Sequence, residues 1–161
     1  MHSWQGSLAG KWRSRGQFLP FGLLMPLMVG CLYRLPPGYV KVEPPFGVEF
    51  RAVSADGSAL TLRSEKNPEN GDLAFWEKAV KARLVDVRGY RLTTRSEATL
   101  GRGTRAVEMA FDYNRDGIDY LYLLTMCIRG DRVHIFEAAG EKGKITPDLP
   151  VIKQAIHDWP M

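Results

Sequence analysis

The segment Asp119–Ile128 most constrains what this chain can fold into. From Tyr120 to Ile128 the only small polar residue is Thr125. A strand that is apolar on both sides must be covered on both faces. Turn-forming residues bound it: Asn114-Arg115-Asp116-Gly117 before, and Arg129-Gly130-Asp131 after. Tight turns at both ends make its neighbours antiparallel. The segment is therefore expected to be the central strand of a β-meander.

The flanking sequence supplies the neighbours. Arg105–Tyr113 places Val107, Met109, Phe111 and Tyr113 on one face, with the period of two that a strand requires. Val133–Ala138 reads as the strand that follows, and Arg91–Thr94 as a shorter strand, with Gly101-Arg102-Gly103 as a loop. Further upstream, Val48–Val53 alternates apolar and polar residues. Asp56-Gly57 is a hairpin signal, and Ala59–Leu62 its partner strand. Residues 64–71 are polar and are expected to be a loop.

Two stretches carry helical periodicity. From Asp72 to Val87, residues Leu73, Trp76, Val80, Leu84 and Val87 form one apolar stripe. Asn70 or Asp72 is placed to cap the helix and Gly89 to close it. After a polar loop at 140–146, Thr146-Pro147-Asp148 reads as a helix start, and Leu149, Ile152, Ile156 and Trp159 as its buried stripe. Trp159 is the expected anchor of that helix on the sheet. The fold class is α+β: a hairpin plus a meander in an antiparallel sheet, with helices packed on its faces.

This order of elements resembles the PsbP/Mog-type superfamily. The resemblance is carried by Phe46–Phe50, Asp72–Gly89, Arg105–Phe111, Tyr120–Leu124, His134–Ala138 and Val151–Trp159. It implies a noncatalytic domain that acts by binding or assembly, as in extrinsic photosystem II subunits and bacterial lipoproteins. It carries no shared site residue onto this chain.

The N-terminus has a different character. Lys11, Arg13 and Arg15 precede an uncharged run from Phe18 to Gly30, which closes on Met28-Val29-Gly30-Cys31. The run is shorter than the roughly 20 residues of a spanning helix, and Pro20 and Pro26 would break a buried one. The order of positive charge, apolar run, small residue and cysteine resembles a bacterial lipoprotein signal peptide. Cleavage is expected between Gly30 and Cys31, with Cys31 taking a palmitate-bearing lipid anchor. Residues 1–30 are then an address, 31–45 (with Pro36, Pro37, Pro44 and Pro45) a tether, and 46–161 one globular domain. Leu32 follows the cysteine. In the lipoproteins this signal resembles, the absence of Asp there favours the periplasmic side of the outer membrane, if the host is Gram-negative.

Charge then argues about partners. The chain has 22 basic and 18 acidic residues. Three of the basic ones lie in the signal, which leaves 19 against 18. A nearly neutral domain lacks the clustered basic face that nucleic-acid binding uses. The expected partners are the membrane, through the lipid, and another envelope protein.

Motifs for chemistry are sparse. Asp112–Asp119 matches the first half of a calcium loop, but Leu123 stands where the bidentate Glu belongs, so a hairpin turn is favoured. Gly101–Arg105 lacks the spacing of a phosphate loop. His2, His134 and His157 form no metal-ligand spacing with one another, and Cys127 reads as a buried small hydrophobe. No catalytic residue, metal or cofactor is expected. Tyr113, Tyr120 and Tyr122 are the candidate binding surface, with Tyr120 and Tyr122 on one face of their strand. The function expected is that of a membrane-anchored lipoprotein acting in protein binding or support of an envelope complex. The alternative is a periplasmic carrier of a small ligand or metal, with a pocket between sheet and helix.

Overall fold

The computed structural model describes residues 34–160. Gly30 and Cys31, and with them the expected signal peptide, cleavage point and lipid attachment, lie outside the described residues.

Seven strands make up the sheet: β1 (Tyr39–Lys41), β2 (Phe50–Ser54), β3 (Ala59–Lys66), β4 (Arg91–Leu100), β5 (Thr104–Arg115), β6 (Ile118–Arg129) and β7 (Arg132–Glu141). All pairings are antiparallel, in the order β1-β2-β3-β7-β6-β5-β4. Helix α1 (Leu73–Ala82) continues into a π-helical turn at Arg83–Val87. The short α2 (Lys142–Ile145) leads through a 3-10 turn into α3 (Leu149–His157).

The doubly apolar strand explains the layering. In β6, Leu124 and Met126 point to one face, where Leu84 and the partly buried Trp76 and Val80 of the first helical segment cover them. Leu121, Leu123 and Cys127 point to the other, under Ile145, Ile152, Ile156 and Trp159. Helices therefore pack on both faces of one antiparallel sheet, as α+β packing predicts.

Local expectations hold where side chains act nearby. Asp72 caps α1 by accepting from the Phe75 amide at 2.7 Å. Gly89 adopts φ 71° after the π turn, and its amide donates to the Val85 carbonyl. Asp56-Gly57 turns the β2–β3 hairpin, with Gly57 at φ 90° and the Ser54 amide on the Ser58 carbonyl.

Six expectations need correction. The proline-rich tether is not free throughout: Tyr39–Lys41 pairs with β2 as the sheet's edge, and Tyr39 is buried. Three residues among prolines are too few to show a strand period. The loop at 64–71 begins later, because Ser64–Lys66 continues the ladder opposite β7. The strand at 91–94 extends to Leu100; its residues are mostly exposed, so no apolar alternation marks them. The α1 stripe holds through Leu84 but fails at Val87, which is 79% exposed, because the π turn shifts the phase and turns Val85 inward instead. Residues 140–146 are not a loop: Glu141 ends β7, and α2 buries Ile145 completely. Thr146 does not cap α3, since its hydroxyl donates to the Lys142 carbonyl at 2.5 Å.

Candidate protein-binding surface

The β5–β6 hairpin builds an aromatic surface through its register. Asp116 and Gly117 form its two-residue turn with φ of 55° and 80°, which is the type I′ geometry that matches the twist of two strands. That turn sets Tyr113 opposite Tyr120 and Phe111 opposite Tyr122. Opposed residues share a face, so all four lie on the α1 side. Tyr90, placed by the Gly89 turn, completes the set. It stacks on Tyr113 (centroids 4.4 Å apart, planes 4° apart), and Tyr113 stacks on Tyr120 (5.0 Å, 12°). Tyr122 meets Tyr90 edge-on at 5.8 Å. Stacking of this kind holds rings rigid while leaving their outer edges accessible. Ile118, on the same face of β6, and Val87, at the end of the π turn, add exposed aliphatic surface.

Tyr113, Tyr120 and Tyr122 thus come together, with Tyr90 as a further member that no pattern in the sequence marks. Its signal was faint: one tyrosine after a helix-closing glycine. The three also differ in environment. Burial holds the Tyr113 hydroxyl above the usual tyrosine range. Burial and the negative charge of Glu137 raise Tyr122 much further, so it stays protonated and donates to Glu137 Oε1 at 2.5 Å. Tyr122 is a framework residue at the inner border, whereas Tyr113 and Tyr120 form the rim.

Beside Tyr122 a cleft of about 500 Å³ opens between the sheet and the first helical segment. Arg63, Arg83, Arg88, Glu137 and Trp76 are among the residues around it. Arg63, Glu65 and Glu137 answer one another, whereas Arg83 and Arg88 make no ion pair among the described residues. Glu137 accepts from Tyr122, from Arg63 Nε and Nη2 at 3.3 Å, and from Thr61 Oγ1 at 3.4 Å. Arg63 also pairs with Glu65.

The remaining nominated residues are accounted for by structure. Asp112 is engaged by Lys142 at 2.7 Å and Arg91 at 2.9 Å, and those cations hold its carboxyl below the usual range. Asn114 donates to Asp119 at 2.8 Å and accepts from the Gly117 amide. The 112–119 segment is therefore strand, turn and strand, with its oxygens engaged internally. In the β4–β5 connection, Gly101 packs so closely that a Cβ would stand 2.8 Å from the Trp159 carbonyl. Cys127 is fully buried, and burial pushes its thiol up to about 12, which leaves it unreactive at neutral pH.

Two pairings were not legible in the sequence. Ser64 and His134 are register partners on β3 and β7, with Oγ and Nδ1 2.8 Å apart. Desolvation lowers the His134 pKa. Among the described residues no carboxylate hydrogen-bonds the ring to orient it, so the pair lacks the third group that activates a serine. Glu108, 6% exposed, points from β5 towards α3, where Lys153 Nζ lies 2.6 Å from Oε1. His157 Nε2 stands 3.8 Å from Oε2, an ion-pair distance too long for a hydrogen bond. Among the described residues no group of His, Cys, Asp and Glu is arranged to hold a metal ion.

Comparison with known proteins places the fold. No family model matches the chain, and no curated protein matches its sequence. Solved structures do match. Cyanobacterial PsbP (CyanoP) from Synechocystis sp. PCC 6803 aligns with a TM-score of 0.57 at 11% identity, over 75% of this chain and 80% of its own. LpqN, described as involved in cell envelope biogenesis of Mycobacterium tuberculosis, aligns with a TM-score of 0.58 at 13% identity, over 77% and 78%. A protein of unknown function from Pseudomonas aeruginosa aligns with a TM-score of 0.56 at 15% identity, over 76% and 81%. At these identities the likeness is one of fold, and the chain shares the α+β fold of cyanobacterial PsbP.

Proposed function

We propose that this chain is a lipid-anchored envelope protein that binds another protein without catalysis. The supporting observation is the stacked Tyr90–Tyr113–Tyr120 set at the end of the β5–β6 hairpin, with exposed Ile118 on the same face of β6. Rigid aromatic rings with accessible polar edges are favoured at protein interfaces, because they bring contact area at little entropic cost. The envelope assignment rests on the basic, apolar, small-residue-cysteine order ending at Cys31. It agrees with the envelope role named for LpqN, which shares the fold. No helix among the described residues is long and apolar enough to cross a membrane, so attachment would fall to the lipid.

The carrier alternative draws on the cleft beside Tyr122. There Arg63 is already paired with Glu65 and Glu137, and Glu137 is taken up by three donors. A small ligand that used Arg63 or Glu137 would have to displace those bonds, leaving Arg83 and Arg88 as the cleft's available cations. A partner protein laid over the tyrosines would displace only water, which favours protein binding.

The test is a comparison of captured proteins. Tagged full-length chain, wild type and Tyr113→Ser/Tyr120→Ser, is crosslinked in its own membranes and recovered. An envelope protein retained by wild type and lost by the folded double variant is the expected result. Identical captures from both remove the aromatic surface from the account.

A further inference from the structure

Strand β4 is an open edge of the sheet. It pairs with β5 on one side only and stands last in the strand order. Among the described residues, no other backbone hydrogen bond reaches Arg91–Leu100. Its ten residues are mostly exposed. An edge of this length offers a row of unpaired amides and carbonyls to another strand.

The sequence of that edge selects its partner. At its middle stands Thr94-Arg95-Ser96-Glu97-Ala98. Laid antiparallel on itself about Ser96, the strand sets Arg95 against the second copy's Glu97, Glu97 against the second copy's Arg95, and Thr94 against the second copy's Ala98. Opposite charges directly across a ladder stabilise it, and like charges oppose it. The faces agree as well. Arg95 lies on the α1 side, where Nε and Nη2 reach Glu77 at 3.0 and 2.9 Å, and its Nη1 is 3.6 Å from Glu97. Ala98 packs into the opposite core. A two-fold axis normal to the sheet preserves both faces and makes the contact isologous. The register shift between Leu92 and Thr94 ends the regular run at one side, so the match is confined to these five residues.

We propose that β4 pairs with β4 of a second copy of this chain about a two-fold axis at Ser96, joining two seven-stranded sheets edge to edge. The Arg-Ser-Glu centre gives this edge its selectivity: a strand with like charges in register is repelled, and its own antiparallel copy is accepted.

Crosslinking in the full chain tests the register. Directly opposed residues in an antiparallel pair lie about 4.5–5.5 Å apart at Cα, within the span of a disulfide. Ser96→Cys meets itself at the axis. Thr94→Cys faces Ala98 and sits four residues, about 13 Å, from its own counterpart. Mild oxidation in native membranes should therefore give a covalent dimer of Ser96→Cys, several-fold above both Thr94→Cys and wild type; wild type reports any crosslink through Cys31 or Cys127. Adding Glu97→Lys sets lysine against arginine and should cut the Ser96→Cys yield several-fold. Mixing that chain with one carrying Arg95→Glu and Ser96→Cys should restore crosslinks, now between the two kinds of chain. The proposal is overturned if Ser96→Cys crosslinks no better than Thr94→Cys, or if Glu97→Lys leaves the yield unchanged. Both comparisons stand even if Arg95→Glu, which also removes the Glu77 partner, fails to fold.

Discussion

Asp112 illustrates how a residue that looks like a ligand serves the fold. Lys142 and Arg91 both reach its carboxylate, and they lower its pKa, Lys142 being the larger cause. A folded pKa below the unfolded value, about 3.9, contributes stability that is present above that value. The contribution is lost as pH falls through the folded pKa. Both cations are substantially exposed, so screening limits it to about 1 kcal/mol or less. Asp112→Asn should lower stability by that amount at pH 7, and its gap from wild type should close as the pH is taken down through the acidic range. Urea unfolding at a series of pH values reads this directly. A gap that stays constant with pH would mean that the ion pairs contribute nothing.

At the scale of elements, α3 is held to the sheet along its length and by the tryptophan that follows it. Trp159 is 8% exposed and meets Phe50 edge-on at 4.8 Å and Phe136 at 5.5 Å. Ile152 and Ile156 are fully buried beside it. Truncating a buried tryptophan costs about 3–5 kcal/mol, against the 5–15 kcal/mol or so by which a domain is stable. Trp159→Ala should lower the unfolding free energy by that amount, read as a lower denaturant midpoint at unchanged slope. A variant with wild-type stability that fails to capture a partner would instead make α3 a docking element. Gly101 belongs to the same argument, since its missing Cβ allows the β4–β5 connection to lie against the Trp159 carbonyl.

For the whole molecule, the proposed function assigns anchoring and binding to different parts of the chain. If Cys31 carries the lipid, the domain from β1 onward should fold without it. Cys31→Ser is expected to leave the membrane fraction, or to persist as uncleaved precursor, while the domain keeps its thermal unfolding midpoint. Two acyl chains suffice for stable attachment, so loss of the thiol should be decisive. Retention of processed Cys31→Ser in the membrane fraction would refute the lipid anchor.

The sequence by itself determined the class of fold, because burial periodicity is written residue by residue. The continuous apolar run of β6 demanded cover on both faces, and the stripes Leu73–Leu84 and Leu149–Trp159 provided it. Asn114–Gly117 marked a tight turn through its residue types, whereas its confinement to Asp116-Gly117, and with it the pairing of Tyr113 and Tyr120, came from the register of β5 and β6. What only the tertiary structure decided involves residues distant in the chain. Tyr90 joined the aromatic stack because β5 and the π turn converge there. Glu108 found Lys153, and Ser64 found His134, through packing and register between elements far apart in sequence. β1 and most of β4 carry almost no buried face, so hydrophobic pattern could not reveal them. They are strands because a neighbour offers a ladder of hydrogen bonds, and that offer exists only once the sheet has formed.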